Sequence, residues 1–93
     1  MIKEFILNGN NVSEAKEELI WELYKLRRKA KISQCMISEL SNIPRSTISR
    51  AESLNMDTTL RNLVKYAEAL GLELSLVLKS KENNKETIKV LKK

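Results

Sequence analysis

The stretch "SQCMISELSNIPRSTISRAE", residues 33–52, decides how the chain is read. Ser33 stands where a helix N-cap is needed, because a hydroxyl there accepts a hydrogen bond from a first-turn backbone N–H that has no partner of its own. Met36, Ile37 and Leu40 then form one apolar stripe over two turns, which predicts a helix over about 33–40. Asn42 follows, and asparagine ranks next to glycine in tolerating the left-handed conformation that closes a tight turn between helices. Pro44 fits the first turn of a new helix, where its missing N–H costs nothing. That helix runs over about 44–52, with Ile48 and Ala51 for the core and Arg45, Ser46, Ser49 and Arg50 for solvent.

Working outward, residues 1–7, "MIKEFIL", read as a short strand and "NGNN" at 8–11 as a turn. Asn11 or Ser13 caps a helix over about 13–30, whose acids Glu14, Glu17 and Glu18 suit the positive end of its dipole. Leu19, Leu23, Leu26 and Ala30 recur in it at helical spacing. Trp21 and Tyr24, on an acidic helix, are read as core or dimer-contact aromatics rather than a platform for stacked bases. On the other side, Asp57 or Thr58 caps a helix in which Leu60, Leu63, Val64, Ala67 and Leu70 repeat until Gly71 stops it. "LELSLVLK" at 72–79 then alternates, with Leu72, Leu74, Leu76 and Leu78 on one face, so the period changes from 3.6 to 2 and a strand is expected. Residues 80–93 are polar and basic, either a flexible tail or a frayed helix using Ile88, Val90 and Leu91. The segments are therefore 1–12, 13–71, 72–79 and 80–93, and the fold class is mainly α, a bundle of four to five helices followed by one strand.

The chain has 93 residues, enough for one small domain, and its 2 Gly and 1 Pro agree with helices rather than a sheet with many turns. Its net charge of +5 is unevenly spread: residues 25–50 carry seven Lys/Arg against one acid, whereas 1–24 and 51–78 are net acidic. A basic block inside the folded region points to a polyanion, nucleic acid first, although ordinary solvated surface also carries such blocks. Cys35 is the single cysteine and there is no histidine. Those counts exclude a disulfide framework, a His/Cys zinc site and a Ser-His or Cys-His nucleophile pair. There is no glycine-rich phosphate loop, so neither an enzyme nor a cofactor is expected. Short apolar runs exclude a bilayer span, and a cytoplasmic location is expected.

Two short helices joined by a three-residue turn, the second exposing a polar face, form the helix-turn-helix arrangement that sets a recognition helix into the DNA major groove. Arginine bonds O6 and N7 of guanine in a bidentate manner, and serine or threonine bonds bases or phosphates. Residues 44–52 thus carry the chemistry for reading base edges.

The stretch "LRRKAKISQCMISELSNIPRSTISRAES" at 26–53 resembles the Xre or phage-repressor-like helix-turn-helix regulators, and with "TLRNLVKYAEALGLEL" the likeness covers residues 19–78. The resemblance implies a lambda-repressor-like bundle, a phosphate contact by Gln34, and base contacts by Arg45, Ser46 and Arg50 with Ser49 or Thr47 beside them. It also implies a partly buried salt bridge between Arg27 and Glu52, and a core of Ile37, Ile43, Ile48 and Ala51. Three positions depart from the family pattern: Asn42 stands where glycine is usual, Pro44 where a small capping residue is usual, and Ser38 where alanine packs. The stretch 56–79 is similar to antitoxins of the HipB or HigA kind, which implies autoregulation of an operon and a toxin partner.

A lone strand leaves its backbone groups unpaired and four leucines exposed, so a second copy is expected to pair with it across a two-fold axis, with "KEFIL" from the N-terminus as a further strand. A homodimer also matches two recognition helices to a palindromic operator in double-stranded DNA, half-sites roughly 34 Å apart. The readings that stay open are a sequence-specific repressor acting as the antitoxin of a toxin-antitoxin pair, a stand-alone regulator without a toxin, and a protein-interaction module.

Overall fold

Four helices follow one another in the described residues, 2–54 and 57–80 of the computed structural model: α1 (Val12–Lys29), α2 (Gln34–Ser41), α3 (Arg45–Glu52) and α4 (Leu60–Ala69). Asn11 occupies the N-cap of α1 without a side-chain cap bond. Its Oδ1 instead accepts from the Asn8 N–H at 2.7 Å and its Nδ2 donates to the Ile6 carbonyl at 3.0 Å, so it locks the preceding turn. The inward stripe of α1 is Ala15, Ile20, Leu23 and Arg27. Leu19 and Leu26 are only half-buried and Ala30 is exposed, a rotation of the stripe away from the one expected. Trp21 is 56 % exposed and therefore no core residue.

Lys31, at φ 60°, ends α1: its N–H bonds the Arg28 carbonyl and the Ile32 N–H bonds the Arg27 carbonyl, the two bonds of a Schellman motif. Ser33 then caps α2, its Oγ accepting from the Met36 N–H at 3.0 Å. Ile37 and Ser41, one turn apart, face the interior, which carries Met36 and Leu40 out to 50 % and 58 % exposure in place of the expected inward stripe. A serine is tolerated inside because its hydroxyl donates to the Ile37 carbonyl.

Asn42 turns the chain with φ 58° and ψ 36°, the left-handed conformation that glycine adopts most easily. The Ser38 hydroxyl donates to the Ile43 carbonyl, so a serine where an alanine would simply pack satisfies a group of the turn itself. Pro44 lies at the N-cap of α3 rather than in its first turn, and its carbonyl accepts from the N–H groups of Thr47 and Ile48. At α4 the cap is Thr59, whose Oγ1 accepts from the Asn62 N–H at 3.1 Å. The two expected caps have other surroundings, since Asp57 pairs with Lys16 and Thr58 is buried. Gly71, at φ 79°, closes α4 with a second Schellman motif.

α1 packs on α3 and α4, and α2 on α3 and α4. The helices enclose Ile20, Leu23, Ile37, Ile43, Ile48, Leu63, Tyr66 and Ala67. Ile37 and Ile48 are fully buried, each worth about 1.5–3 kcal/mol by transfer from water. Because both sit on the helix-turn-helix pair, the core fixes the angle at which α3 stands on the rest.

Among the described residues there is no strand. Residues 72–80 run without a backbone ladder, since a strand needs a neighbouring strand for its N–H and C=O groups and the described residues supply none. Leu72 and Leu74 pack half-buried against the core, whereas Leu76 and Leu78 stand 73 % and 96 % exposed. Residues 2–7 likewise form no strand; Lys3 bonds Glu22 of α1 at 3.2 Å, and Glu4 lies 3.8 Å from the Lys79 ammonium. Ile88, Val90 and Leu91 of the expected tail lie outside the described residues.

Candidate nucleic-acid interface

α3 divides its side chains by the helical period. Ile48 and Ala51 point inward, and Arg45, Ser46, Ser49 and Arg50, at steps of one and four, share the exposed face. Arg50 folds back toward its own helix, with Nε 3.4 Å from the Ser46 carbonyl. Thr47 is half-buried and lines a small core space with Ile43, Ile48 and Thr58, so it stands off the face formed by the other four.

The end of α3 is fastened by Glu52. Arg27 donates to this carboxylate twice, from Nε and Nη2, at 2.8 Å each. The Tyr66 hydroxyl donates at 2.5 Å and Gln34 Nε2 at 3.0 Å, while Arg27 Nη1 reaches the Ile32 carbonyl at 2.6 Å. One carboxylate thus joins all four helices. The Arg27 and Glu52 side chains are each 5 % exposed. Burial alone would push the Glu52 carboxyl up, but the donors from Arg27, Tyr66 and Gln34 outweigh it and hold the carboxyl below the usual range. Burial pulls Arg27 down, and the Glu52 contact more than restores it. The Tyr66 phenol is pushed up, first by burial and then by its bond to the Glu52 anion. The site keeps its charges and its net charge is zero.

Gln34 is therefore half-buried and engaged inside the protein, at the first position of α2. Around it lies an open groove of about 460 Å³, lined by Tyr24, Arg27, Arg28, Lys31, Ile32, Ser33, Gln34 and Arg45. It runs between the end of α1 and the starts of α2 and α3. Among the described residues Lys31 and Arg45 have no acidic partner, and no carboxylate lines the groove. Arg28 is steadied by Tyr24, its Nη1 3.1 Å from the phenol oxygen and its guanidinium 5.8 Å from the ring centre. Trp21 stacks on Tyr24 with centroids 5.6 Å apart and carries Lys25 over its ring, so the pair forms an aromatic and cationic edge on α1.

Sequence reasoning passed over Tyr66 and the cationic wall of Arg28 and Lys31, and it read Tyr24, which borders that wall half-buried, as a core or dimer-contact aromatic. Tyr66 sits inside the apolar period of α4, and a buried phenol needs a hydrogen-bond partner, which was the available signal. Arg28 and Lys31 belonged to the basic block, yet their convergence with Arg45 depends on the turn after α1. Among the described residues no helix is long and apolar enough to cross a membrane, and no group of His, Cys, Asp and Glu could hold a metal ion.

An exposed helix carrying two arginines and two serines, next to an uncompensated cationic groove, suits a duplex: the helix enters the major groove and the cations face the backbone. A family model of helix-turn-helix proteins matches residues 23–77, which spans α2, the turn, α3 and α4 with the end of α1. No curated protein and no solved structure matches the chain.

Proposed function

The chain belongs to the Xre-like helix-turn-helix family of DNA-binding regulators, and on that premise we propose that it is a repressor that recognises an inverted-repeat operator as a homodimer. The observation that carries this reading is the exposed face of α3, where Arg45, Ser46, Ser49 and Arg50 lie clear of the core beside a groove without acids. Arg45, at the first position of α3, has no acidic partner among the described residues and is suited to bidentate contact with guanine O6 and N7. Ser46, Ser49 and Arg50 contact neighbouring bases or phosphates, and Thr47 supports them from the inner side. Gln34 has one amide hydrogen and its carbonyl left over after bonding Glu52, enough for one phosphate contact.

The dimer is built on residues 72–78. Leu76 and Leu78 are exposed apolar side chains next to unpaired backbone, which a second copy of the same segment would cover by antiparallel pairing. The antitoxin role, with a toxin as second partner and autoregulation as its consequence, rests on the resemblance of residues 56–79 to such proteins.

The test is fluorescence anisotropy on duplex DNA from upstream of the gene against a scrambled duplex. The expected result is saturable binding that prefers the upstream duplex. In Arg45→Ala the preference falls by about 1–3 kcal/mol, as for a base-reading arginine. Equal losses on both duplexes would reduce Arg45 to a phosphate contact, and equal, weak binding of the unsubstituted protein would overturn the repressor.

A further inference from the structure

Lys31 stands where a helix ends in the left-handed region, φ 60°, a conformation that glycine takes without strain and lysine does not. Its side chain lines the groove with Arg28 and Arg45, and none of the three has an acidic partner among the described residues. The nearest carboxylate of the network, Glu52, is already neutralised by Arg27. Arg28 donates to the Tyr24 hydroxyl and lies over its ring, two contacts that favour one placement of its guanidinium. Two cations three residues apart at one helix end, Lys31 on a strained backbone and Arg28 against Tyr24, line the same open space of about 460 Å³.

We infer that Arg28 and Lys31 form a phosphodiester seat at the end of α1, separate from α3, which grips the DNA backbone beside the bases that α3 reads. The inference rests on the DNA-binding reading above and deepens it. Phosphate is the fitting class because the seat offers a forked guanidinium and an ammonium with no apolar pocket for a base. The left-handed lysine is explained by this role: glycine would relax the turn but leave the groove without one of its cations. A purely structural role is the competing account, since a cation at the end of a helix also favours its dipole. The two accounts differ in what salt does.

The experiment measures binding of the full chain to a mixed-sequence 20-bp duplex and to the upstream duplex over a series of salt concentrations, for the unsubstituted protein, Lys31→Gly and Arg28→Gln. Each neutralised phosphate contributes about 0.9 to the slope of log K against log salt. Each substitution is expected to lower that slope by about 1 per protomer and to weaken both duplexes by the same factor. Lys31→Gly is expected to keep or raise the melting temperature, and Arg28→Gln keeps the α1 turn unaltered as a second folded variant. Unchanged slopes in both variants, with the unsubstituted protein binding normally, would overturn the seat and leave the DNA-binding reading standing. Absence of duplex binding by the unsubstituted protein would overturn both.

Discussion

Replacing Glu52 by glutamine removes one charge and almost no volume, and it strikes the point where four helices meet. Arg27 is 4 % exposed and would remain buried without a counter-charge. Four donors now converge on the carboxylate: Arg27 Nε and Nη2, the Tyr66 hydroxyl and Gln34 Nε2. Each carboxylate oxygen takes two of them, so whichever one becomes an NH₂ group confronts two donors. Breaking a buried ion pair by removing one partner costs about 3–5 kcal/mol. A domain of this size has only about 5–10 kcal/mol of stability in total, so the melting temperature should drop by at least about 12 °C. Urea denaturation followed by circular dichroism at pH 7 measures the difference directly. The pH dependence is a second check. Glu52 has a folded pKa held below its unfolded value, near 4.3 for glutamate, so its stabilisation is complete above that pH and is lost as pH falls through the lower, folded value. The gap between the unsubstituted protein and the Glu52→Gln variant should thus be constant above about pH 5 and close in stronger acid. A loss under about 1 kcal/mol, or a gap undiminished at low pH, would refute a charged carboxylate that binds the four helices together here.

Thr58 Oγ1 is buried without a hydrogen-bond partner, next to a core space lined by Ile20, Leu23 and Ile48, so Thr58→Val should raise stability by about 1 kcal/mol in the same urea assay. A loss instead would mean that the hydroxyl serves a bound water. Leu76→Glu combined with Leu78→Glu should leave the melting of the helices within about 0.5 kcal/mol, as for surface substitutions, yet halve the mass found by light scattering. An unchanged mass would remove this segment from the dimer contact.

The helices were legible because their punctuation is local. Ser33 accepts from the Met36 N–H, Asn42 turns left-handed and Gly71 stops α4, and each of these depends only on neighbours a few residues away. What failed was the orientation of each helix around its own axis. Met36 and Leu40 look inward by hydrophobicity, but the turn at Asn42 aims Ile37 and Ser41 at α3 and α4. Trp21 has the composition of a core residue, and only the packing of Ile20 and Leu23 settles which side of α1 faces out. The exposed face of α3 was legible, because it is dictated by Ile48 and Ala51 turning inward. What was not legible is the bond from Gln34 to Glu52, because it joins residues 18 apart in sequence.

The same neighbours decide how much of the basic block a polyanion can feel. Residues 25–50 hold seven cations, but Arg27 is sealed against Glu52 and Lys25 lies 2.9 Å from Glu22. Arg28, Lys29, Lys31, Arg45 and Arg50 remain without an acidic partner among the described residues. Five phosphates neutralised at about 0.9 each limit the salt slope from this block to about 4.5 per protomer. A steeper slope requires cations from elsewhere, and the richest reserve is Lys81, Lys85, Lys89, Lys92 and Lys93. Titrating a chain ended at residue 80 beside the full chain therefore measures what the C-terminal lysines add, since the basic block and the other cations, Arg61 and Lys65 among them, are common to both.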